Sequence, residues 1–210
     1  MTSAKDIAKA IFEQIHDGPT KGIRKIVAIA GPPASGKSTV SRELALLINS
    51  SGREAQVVPM DGFHLDNDAL TAMKRLHRKG APDTFDVLGF RKLMAQLATE
   101  PKVAYPVFDR ALDVSIPKGG TVRPSCDTVL VEGNYLLLDA PDWRDLREMW
   151  DYSVWLNVPE SELRRRLVRR WLDHGLSEEQ AIARAEENDL ANARAVNQAS
   201  FPPDMTINVL

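Results

Sequence analysis

The sequence predicts an α/β fold with a mainly parallel five-stranded sheet flanked by helices. Short apolar runs rich in Val and Ile recur along the chain, and amphipathic helical patterns separate them. Glycine-rich or acidic segments follow several of these runs directly. Strands joined by helical crossovers pair in parallel, so we expect these polar segments to meet at the carboxyl edge of the sheet.

The elements follow in order along the chain. Residues 1–22 are expected to hold a docked N-terminal helix, because apolar residues recur at helical spacing until Gly18-Pro19 ends the pattern. Buried strands are predicted at residues 26–30, 55–60, 127–133 and 152–158, with a last short strand in TINVL, residues 206–210. Helices are predicted at residues 38–49, 68–78, 88–98, 160–173 and 178–195.

Residues 60–125 are interpreted as a segment inserted at the carboxyl edge of the sheet. Within it, residues 79–86 are expected to form a loop, and residues 103–109 carry a proline that restricts them to an edge strand. Gly119-Gly120 is predicted as the turn of a small hairpin. Since no repeat or linker interrupts the pattern, residues 1–210 are treated as one domain.

Composition excludes several classes of function. The chain has 210 residues, 43% of them hydrophobic and 27% charged, with a net charge of −2. This charge favours neither nucleic acid nor an anionic membrane surface. Cys126 is the one cysteine, so neither an internal disulfide nor a cysteine-rich zinc site is expected. No signal peptide or membrane span is visible, and a cytoplasmic protein is expected.

The segment GPPASGKS, residues 31–38, matches the phosphate-loop pattern G-x-x-x-x-G-K followed by Ser or Thr. It lies between a predicted strand and a predicted helix, where backbone N–H groups and the helix N-terminus attract phosphate. Lys37 is expected to contact the β- and γ-phosphates of ATP, and Ser38 to bind Mg²⁺. The plainer alternative is a glycine-rich turn with a solvated lysine. The predicted nucleotide contacts in this loop are Gly31, Ala34, Ser35, Gly36, Lys37, Ser38 and Thr39.

Absent motifs narrow the class of nucleotide-binding protein. We find no N/T-K-x-D guanine motif and no transporter signature loop, and the chain is short for a remodelling ATPase. These absences favour a compact small-molecule kinase. Such an enzyme needs a carboxylate beside the acceptor hydroxyl, a carboxylate near the metal, and arginines that neutralise the transferred phosphoryl group.

Two carboxylates end strands beside the phosphate loop. Asp61 follows the second predicted strand and is the candidate base that accepts the proton of an acceptor hydroxyl. Its alternative is a simple Asp-Gly turn. Glu132 ends the strand DTVLVEG and is the candidate group near Mg²⁺. A helix cap or a surface glutamate is the alternative for that residue.

The arginine-rich helix ELRRRLVRRW is the candidate lid, which we place at residues 160–176. Arg165 and Arg169 are chosen as its nucleotide contacts, and Arg169 as the catalytic one. A solvated basic face is the plainer interpretation of the same residues.

These motifs together resemble the P-loop small-molecule kinases that include uridine kinase, phosphoribulokinase and bacterial pantothenate kinase. The resemblance covers residues 24–195 and runs through GPPASGKS, DGFHLDN, KGAPDTFD, YPVFDRALD, VLVEGNYLL and the arginine helix ending in HG. It implies the three-layer P-loop nucleoside triphosphate hydrolase fold. The combination DGFHLDN, RKGAPDTFD and EGNYLLLD is most similar to the branch known as kinases of fructose or sugar transport systems. Arg170 and Leu176 depart from the uridine-kinase lid pattern, which weakens a nucleoside assignment.

The resemblance implies that Asp61 is the catalytic base and that Phe85 and Asp86 belong to a substrate loop. Polar groups around a sugar must pair with its hydroxyls, since an unmatched buried hydroxyl is costly. His64 is assigned to this pocket as well, although it could instead be a hydrogen-bonded residue at a helix start. The predicted acceptor pocket comprises Asp61, His64, Phe85, Asp86, Arg110, Asn134 and Tyr135.

The predicted function is transfer of the γ-phosphoryl group from Mg-ATP to a hydroxyl of a small metabolite, with a sugar such as fructose as acceptor. A nucleoside or pantothenate kinase, or a non-catalytic ATP-binding regulator of a transport system, remains open. Neither nucleic acid nor membrane insertion is expected, and a homodimer is left open.

Overall fold

The computed structural model describes residues 3–15 and 20–209. Its helices are α1 (Ala4–Ile15), α2 (Lys37–Ser50), α3 (Asn67–Ala72), α4 (Val87–Thr99), α5 (Glu160–Asp173), α6 (Glu178–Arg184) and α7 (Ala191–Ala199). Its strands are β1 (Lys25–Ala30), β2 (Ala55–Pro59), β3 (Val103–Asp109), β4 (Val114–Val122), β5 (Thr128–Gly133), β6 (Tyr152–Asn157) and β7 (Met205–Asn208). Short 3₁₀ segments lie at Met60–Phe63, Leu76–Arg78, Pro82–Thr84 and Arg144–Met149, and a π-helical segment lies at Ala185–Leu190.

Five strands form one sheet in the order β2–β5–β1–β6–β7, and each adjacent pair is parallel. β1 and β5 are buried along their whole length. Such continuous burial explains their unbroken apolar sequences, because helices cover both faces of a parallel sheet. The prediction of a mainly parallel five-stranded sheet flanked by helices is therefore confirmed.

Two hydrophobic cores lie on opposite faces of the sheet, which makes three layers. Alternate residues of β1 belong to different cores, with Ala28 in one and Ile29 in the other. The first core includes residues of α4 and the segment after β5, such as Phe90 and Trp143. The second includes residues of α1, α2 and α5, such as Leu44.

The N-terminal helix α1 buries Ile7, Ile11 and Ile15 and packs against α2. The helical spacing in the sequence predicted this face correctly. The predicted stop at Gly18-Pro19 lies outside the described residues.

β3 and β4 form a separate antiparallel hairpin that turns at residues 110–113. The predicted turn at Gly119-Gly120 is wrong, because both glycines lie inside β4. A Cβ atom at Gly120 would lie 2.3 Å from the ring of Tyr105, so this glycine allows close approach rather than a turn. The true turn is stabilised by Asp109, whose Oδ1 accepts hydrogen bonds of 2.9 and 3.0 Å from two backbone N–H groups of the turn.

Residues 178–195 were predicted as one helix, and the structure divides the region into α6, the π-helical segment and α7. Short π-helical segments often occur at functional sites. This one lies along the cleft described below. Over the part of the chain that the structure describes, every helix is too short or too polar to span a bilayer.

Candidate active site

A cleft of about 740 Å³ opens at the carboxyl edge of the sheet. Its walls are the phosphate loop, the turn after β2, the tip of the β3–β4 hairpin, the end of β5, and the cleft sides of α5, α6 and the π-helical segment. Parallel strands deliver their following residues to this edge, so residues far apart in sequence converge here.

The phosphate loop has the backbone shape that an anion cradle needs. Gly36 directly precedes α2 and adopts a φ of 96°, in the left-handed region, which a residue with a side chain rarely adopts. Ala34 also has a positive φ, of 63°. Residues 33–34 and 36–39 face the cleft, whereas Gly31 and Ser35 do not. A Cβ at Gly31 would lie 2.9 Å from the Leu156 carbonyl oxygen, so Gly31 serves the packing of the loop.

Lys37 is buried within the cleft and is held by neutral oxygen atoms. Its Nζ donates to the Pro32 carbonyl oxygen at 2.9 Å and to Asn134 Oδ1 at 2.8 Å. Burial lowers the pKa of Lys37 to about 8, while the nearby Glu132 carboxylate opposes the shift. A buried ammonium group whose contacts are mostly neutral is suited to receive an anionic ligand.

Ser38 and Glu132 form the pair expected near a metal ion. Ser38 Oγ donates to Glu132 Oε1 at 2.9 Å. Burial raises the pKa of Glu132, and the negative charge of Asp61 raises it further. The Glu132 carboxylate and the Ser38 hydroxyl are oxygen ligands of the kind that Mg²⁺ prefers, and the ion retains water or phosphate oxygens for the rest of its shell. Among residues 3–15 and 20–209, no cluster of three His, Cys, Asp or Glu side chains suited to a metal occurs.

Asp61 lies in the 3₁₀ turn that follows β2, at the floor of the cleft. Its Oδ2 accepts a hydrogen bond of 2.7 Å from Arg110 Nη2, which closes an ion pair across the cleft. The next residue, Gly62, approaches the hairpin so closely that a Cβ atom would lie 2.0 Å from the Pro106 carbonyl oxygen. The absence of a side chain at Gly62 therefore brings the hairpin, and Arg110 with it, next to Asp61.

His64 lies between two aromatic rings, with centroid distances of 4.1 Å to Phe85 and 4.7 Å to Phe108. Its Nδ1 is 2.8 Å from the Asp61 carbonyl oxygen, which only accepts, so Nδ1 carries the proton in this contact. Burial lowers the pKa of His64, which favours the neutral ring with Nε2 as an acceptor. Phe85 is itself buried and lies behind His64, away from the cleft lining.

Two residues assigned to the acceptor pocket have other positions in the structure. Asp86 caps α4, where its Oδ1 accepts from Gly89 N at 2.9 Å, and it does not line the cleft. Tyr135 is fully buried and donates its hydroxyl to the Gly80 carbonyl oxygen. The assignment of these two side chains, and of Phe85, to direct acceptor contacts is therefore corrected: they support the cleft wall.

The arginines chosen for the lid also need correction. Arg165 and Arg169 point to solvent, with side chains 70% and 73% exposed, and they pair with Glu162 and Asp173. Arg166 and Arg170 line the cleft instead. Arg166 Nη1 donates to the Ala34 carbonyl oxygen at 3.2 Å, directly on the phosphate loop.

The phase of α5 explains this difference. Leu163 and Leu167 are its buried residues, and Arg166 and Arg170 each lie three positions after one of them. Three positions along a helix is close to one turn, so these arginines stay near the buried face. Arg165 and Arg169 lie two positions after the leucines and therefore face outward.

Further cleft residues were missed in the sequence. Lys79 begins the KGAPDTFD segment but was not assigned to the cleft; its side chain is only 10% exposed, and its Nζ lies 5.1 Å from the Phe108 ring centroid. Asp189 accepts a 2.7 Å hydrogen bond from Trp171 Nε1, and burial raises its pKa. No motif marked Asp189, whose direction is set by the π-helical segment, and the motif that contains Lys79 did not show where its side chain points. The other cleft-lining residues that the sequence did not assign include Asp113, His174, Arg184, Asn188 and Asn192.

Comparisons with known proteins match most of this chain. A family model described as an AAA domain matches residues 27–188. A crystal structure from Silicibacter sp. TM1040, named "putative fructose transport system kinase", superposes with a TM-score of 0.91 at 49% identity, covering 99% of this chain and 100% of that one.

Two relatives by sequence are named as kinases. A protein of Schizosaccharomyces pombe named "Putative uridine kinase C227.14" is 34% identical over 197 residues, which are 89% of this chain and 84% of that protein. A pantothenate kinase of Myxococcus xanthus is 32% identical over 164 residues, which are 74% of this chain and 52% of that enzyme.

Proposed function

This chain belongs to the AAA-domain family matched above and is a P-loop small-molecule kinase, and from this premise we propose that it transfers the γ-phosphoryl group of Mg-ATP to a hydroxyl of a sugar such as fructose. The observation that carries the proposal is the convergence of Lys37, Asp61 and Glu132 in one cleft, with Arg110 beside Asp61. A nucleotide sensor would need the lysine but would have no use for a base.

The triphosphate would lie along the phosphate loop, with its γ-phosphoryl group toward Asp61. Lys37 would exchange its contacts with Pro32 and Asn134 for contacts with the β- and γ-phosphates. The negative charge of these phosphates would then pair with its ammonium group. Ser38 and Glu132 would hold Mg²⁺, directly or through water, and the ion would neutralise charge on the phosphates. Arg166 and Arg170 would stabilise the negative charge that spreads over the transferred group.

The acceptor hydroxyl would lie between Asp61 and the γ-phosphorus. Asp61 orients this hydroxyl and takes its proton as the new P–O bond forms and the bond to the β–γ bridging oxygen breaks. His64 Nε2 offers an acceptor for a second hydroxyl, and Asn134 becomes available when Lys37 turns to the phosphates. Paired acceptors of this kind suit a polyol, whose hydroxyls each need a partner.

The charges in the cleft favour an uncharged acceptor. Among the described residues that line it, six side chains are cationic (Lys37, Lys79, Arg110, Arg166, Arg170 and Arg184) and four are carboxylates (Asp61, Asp113, Glu132 and Asp189). A triphosphate with one Mg²⁺ carries about two negative charges, which offset the excess of cationic over carboxylate side chains in the cleft. An anionic acceptor would leave negative charge without a partner in the cleft. A free sugar fits this balance, and the name of the Silicibacter protein agrees with it.

The test is an ATP-consumption assay with Mg²⁺ across a panel of sugars, nucleosides, pantothenate and sugar phosphates. We expect ADP formation to depend on a neutral sugar, with fructose among the active acceptors. Activity confined to a nucleoside or to pantothenate would replace the sugar assignment. Tight ATP binding with no acceptor-dependent turnover across the panel would identify a regulator instead of a kinase.

A further inference from the structure

We propose that Arg110 guards the base Asp61 against water, so that ATP is not hydrolysed before an acceptor arrives. The inference rests on the proposed function, because it takes Asp61 as the base. It concerns the hairpin tip, which we define as residues 110–113 between β3 and β4.

The contact between the two side chains is direct. Arg110 Nη2 donates to Asp61 Oδ2 at 2.7 Å, so one oxygen of the base already has a charged partner. The guanidinium group also occupies space beside this oxygen, where a water molecule would otherwise be oriented by Asp61. The Arg110 side chain is 67% exposed, against 27% for Asp61. Arg110 can therefore move away without disturbing the core, while Asp61 stays in place.

The hairpin tip is held in place by a separate set of contacts at Asp113, its last residue. Lys79 Nζ donates to Asp113 Oδ1 and to the Asp113 carbonyl oxygen, both at 2.9 Å, and to Asn67 Oδ1 at 2.8 Å. Asn67 Nδ2 in turn donates to Asp113 Oδ2 at 3.0 Å. Lys79 thus ties the hairpin tip to the start of α3. The backbone of the tip is held in place, so only the Arg110 side chain moves when it separates from Asp61.

Hydrolysis and transfer use the same chemistry at Asp61. In hydrolysis the oxygen of water would bond to the γ-phosphorus, ADP would leave with the electron pair of the broken P–O bond, and Asp61 would take the proton of water. Water is small enough to enter any open kinase cleft, so a kinase must deny it a base or exclude it. While Arg110 is paired with Asp61, the Oδ2 atom of the base is occupied and does not take the proton of water.

An acceptor would release this guard by offering Asp61 a hydroxyl donor and by filling the space that the guanidinium group occupies. Arg110 would then turn toward the phosphoryl group or toward the acceptor, where its charge remains useful. Positioning of Arg110 depends on Lys79, which we assign as a positioning residue that acts through the hairpin tip.

The experiment measures ATP hydrolysis in the absence of any acceptor, by release of inorganic phosphate, in the full chain with Mg²⁺. Arg110→Gln should raise this rate about tenfold, as expected for loss of one charge-assisted hydrogen bond to the base. Arg91→Gln is the matched control, because Arg91 makes an ion pair of the same length, 2.7 Å to Asp145, outside the cleft. It should leave hydrolysis unchanged.

Two further variants test whether the added hydrolysis passes through Asp61 and depends on the position of the hairpin tip. The double variant Asp61→Asn with Arg110→Gln should lose the added hydrolysis, since the base that the guard covers is gone. Lys79→Gln should raise hydrolysis less than Arg110→Gln, because it loosens the hairpin tip without removing the guanidinium group. An unchanged rate in Lys79→Gln would overturn the positioning role of Lys79.

The guard itself is overturned if Arg110→Gln leaves acceptor-free hydrolysis unchanged and only raises KM for the acceptor. It is also overturned if the added hydrolysis persists in the double variant. Failure of the proposed function would give different results. No acceptor would stimulate ATP turnover by the wild-type chain, and Asp61→Asn would not reduce that turnover.

Discussion

Removal of charge from Arg170 and from its neighbour Arg169 should have very different consequences for catalysis. The two arginines are adjacent on α5, yet Arg170 lines the cleft while Arg169 is 73% exposed and pairs with Asp173 at 2.9 Å. Burial lowers the pKa of Arg170, and the carboxylates of Asp189 and Asp61 oppose this shift. The positive charge of Arg170 also lowers the pKa of Lys37, so the two cations act on one region of the cleft.

The size of the effect follows from these positions. Arg170→Met removes one charged hydrogen-bond donor from the phosphate region, and such a bond contributes about 3 kcal/mol at most. A loss of that size in the transition state corresponds to roughly a hundredfold in kcat/KM. Arg169→Met removes only an exposed ion pair between residues one turn apart, which contributes less than about 1 kcal/mol to stability and nothing to the cleft. We expect less than about a twofold change in its kinetics.

The assay is steady-state ADP formation with the best acceptor, with thermal unfolding of both variants measured in parallel. Arg170→Met should retain a wild-type Tm within a few degrees, because its effect is on the reaction. If Arg169→Met loses as much activity as Arg170→Met, the phase that we assign to α5 is wrong. If Arg169→Met loses more activity than Arg170→Met, the sequence-based choice of Arg169 as the catalytic arginine would be correct.

Three other predictions concern the rest of the cleft. Glu132→Gln should raise the Mg²⁺ concentration for half-maximal turnover about 10–100-fold, because a ligand or a partner of its water shell is lost; an unchanged Mg²⁺ titration would remove Glu132 from the metal site. ATP affinity, measured by calorimetry at and above pH 7, should fall by about tenfold per pH unit above pH 8, because the free Lys37 has a pKa of about 8 and must gain a proton to bind phosphate. Lys37→Met should bind weakly with no such dependence, and a pH dependence that persists there would assign the titration elsewhere. Gly62→Ala should destabilise the chain by about 3 kcal/mol in urea unfolding, because its Cβ would meet the Pro106 carbonyl oxygen at 2.0 Å. Gly52→Ala has open space around its Cβ and a φ of 85°, so it should cost only about 1 kcal/mol, and equal losses would contradict the close approach at Gly62.

The fold and the centre of the cleft could be predicted because their signals are local. Buried parallel strands have unbroken apolar sequences, so the five strands were found with bounds close to those in the structure. The phosphate loop is a contiguous motif, and Asp61 and Glu132 follow or end strands. Their meeting at one edge follows from parallel pairing alone.

The residues on helices and loops could not be placed as well, because their direction depends on packing. The sequence showed the apolar positions of α5, yet the choice of Arg165 and Arg169 ignored that Arg166 and Arg170 follow the buried leucines by three residues. That spacing was available as a signal. The position of Asp189 was not, since a π-helical turn shifts every later side chain relative to a regular helix.

Asp86 and Tyr135 show the limit of assigning roles from a motif. Asp86 precedes a helix and caps it, a role that its position before α4 already indicated. Tyr135 follows Asn134 directly, but the chain turns there, so one side chain faces the cleft and the other is buried under Gly80. A motif identifies the loop that carries function without showing which of its side chains point inward.

The central claim, that Asp61 is the base of a phosphoryl transfer to a neutral sugar, is tested most directly by detecting the product. Phosphorus NMR of a reaction with Mg-ATP and the active sugar should show ADP and a sugar phosphate ester with the wild-type chain. Asp61→Asn should bind ATP with nearly unchanged affinity and form no ester, because only proton acceptance is lost. Ester formation by Asp61→Asn at the wild-type rate would contradict the account.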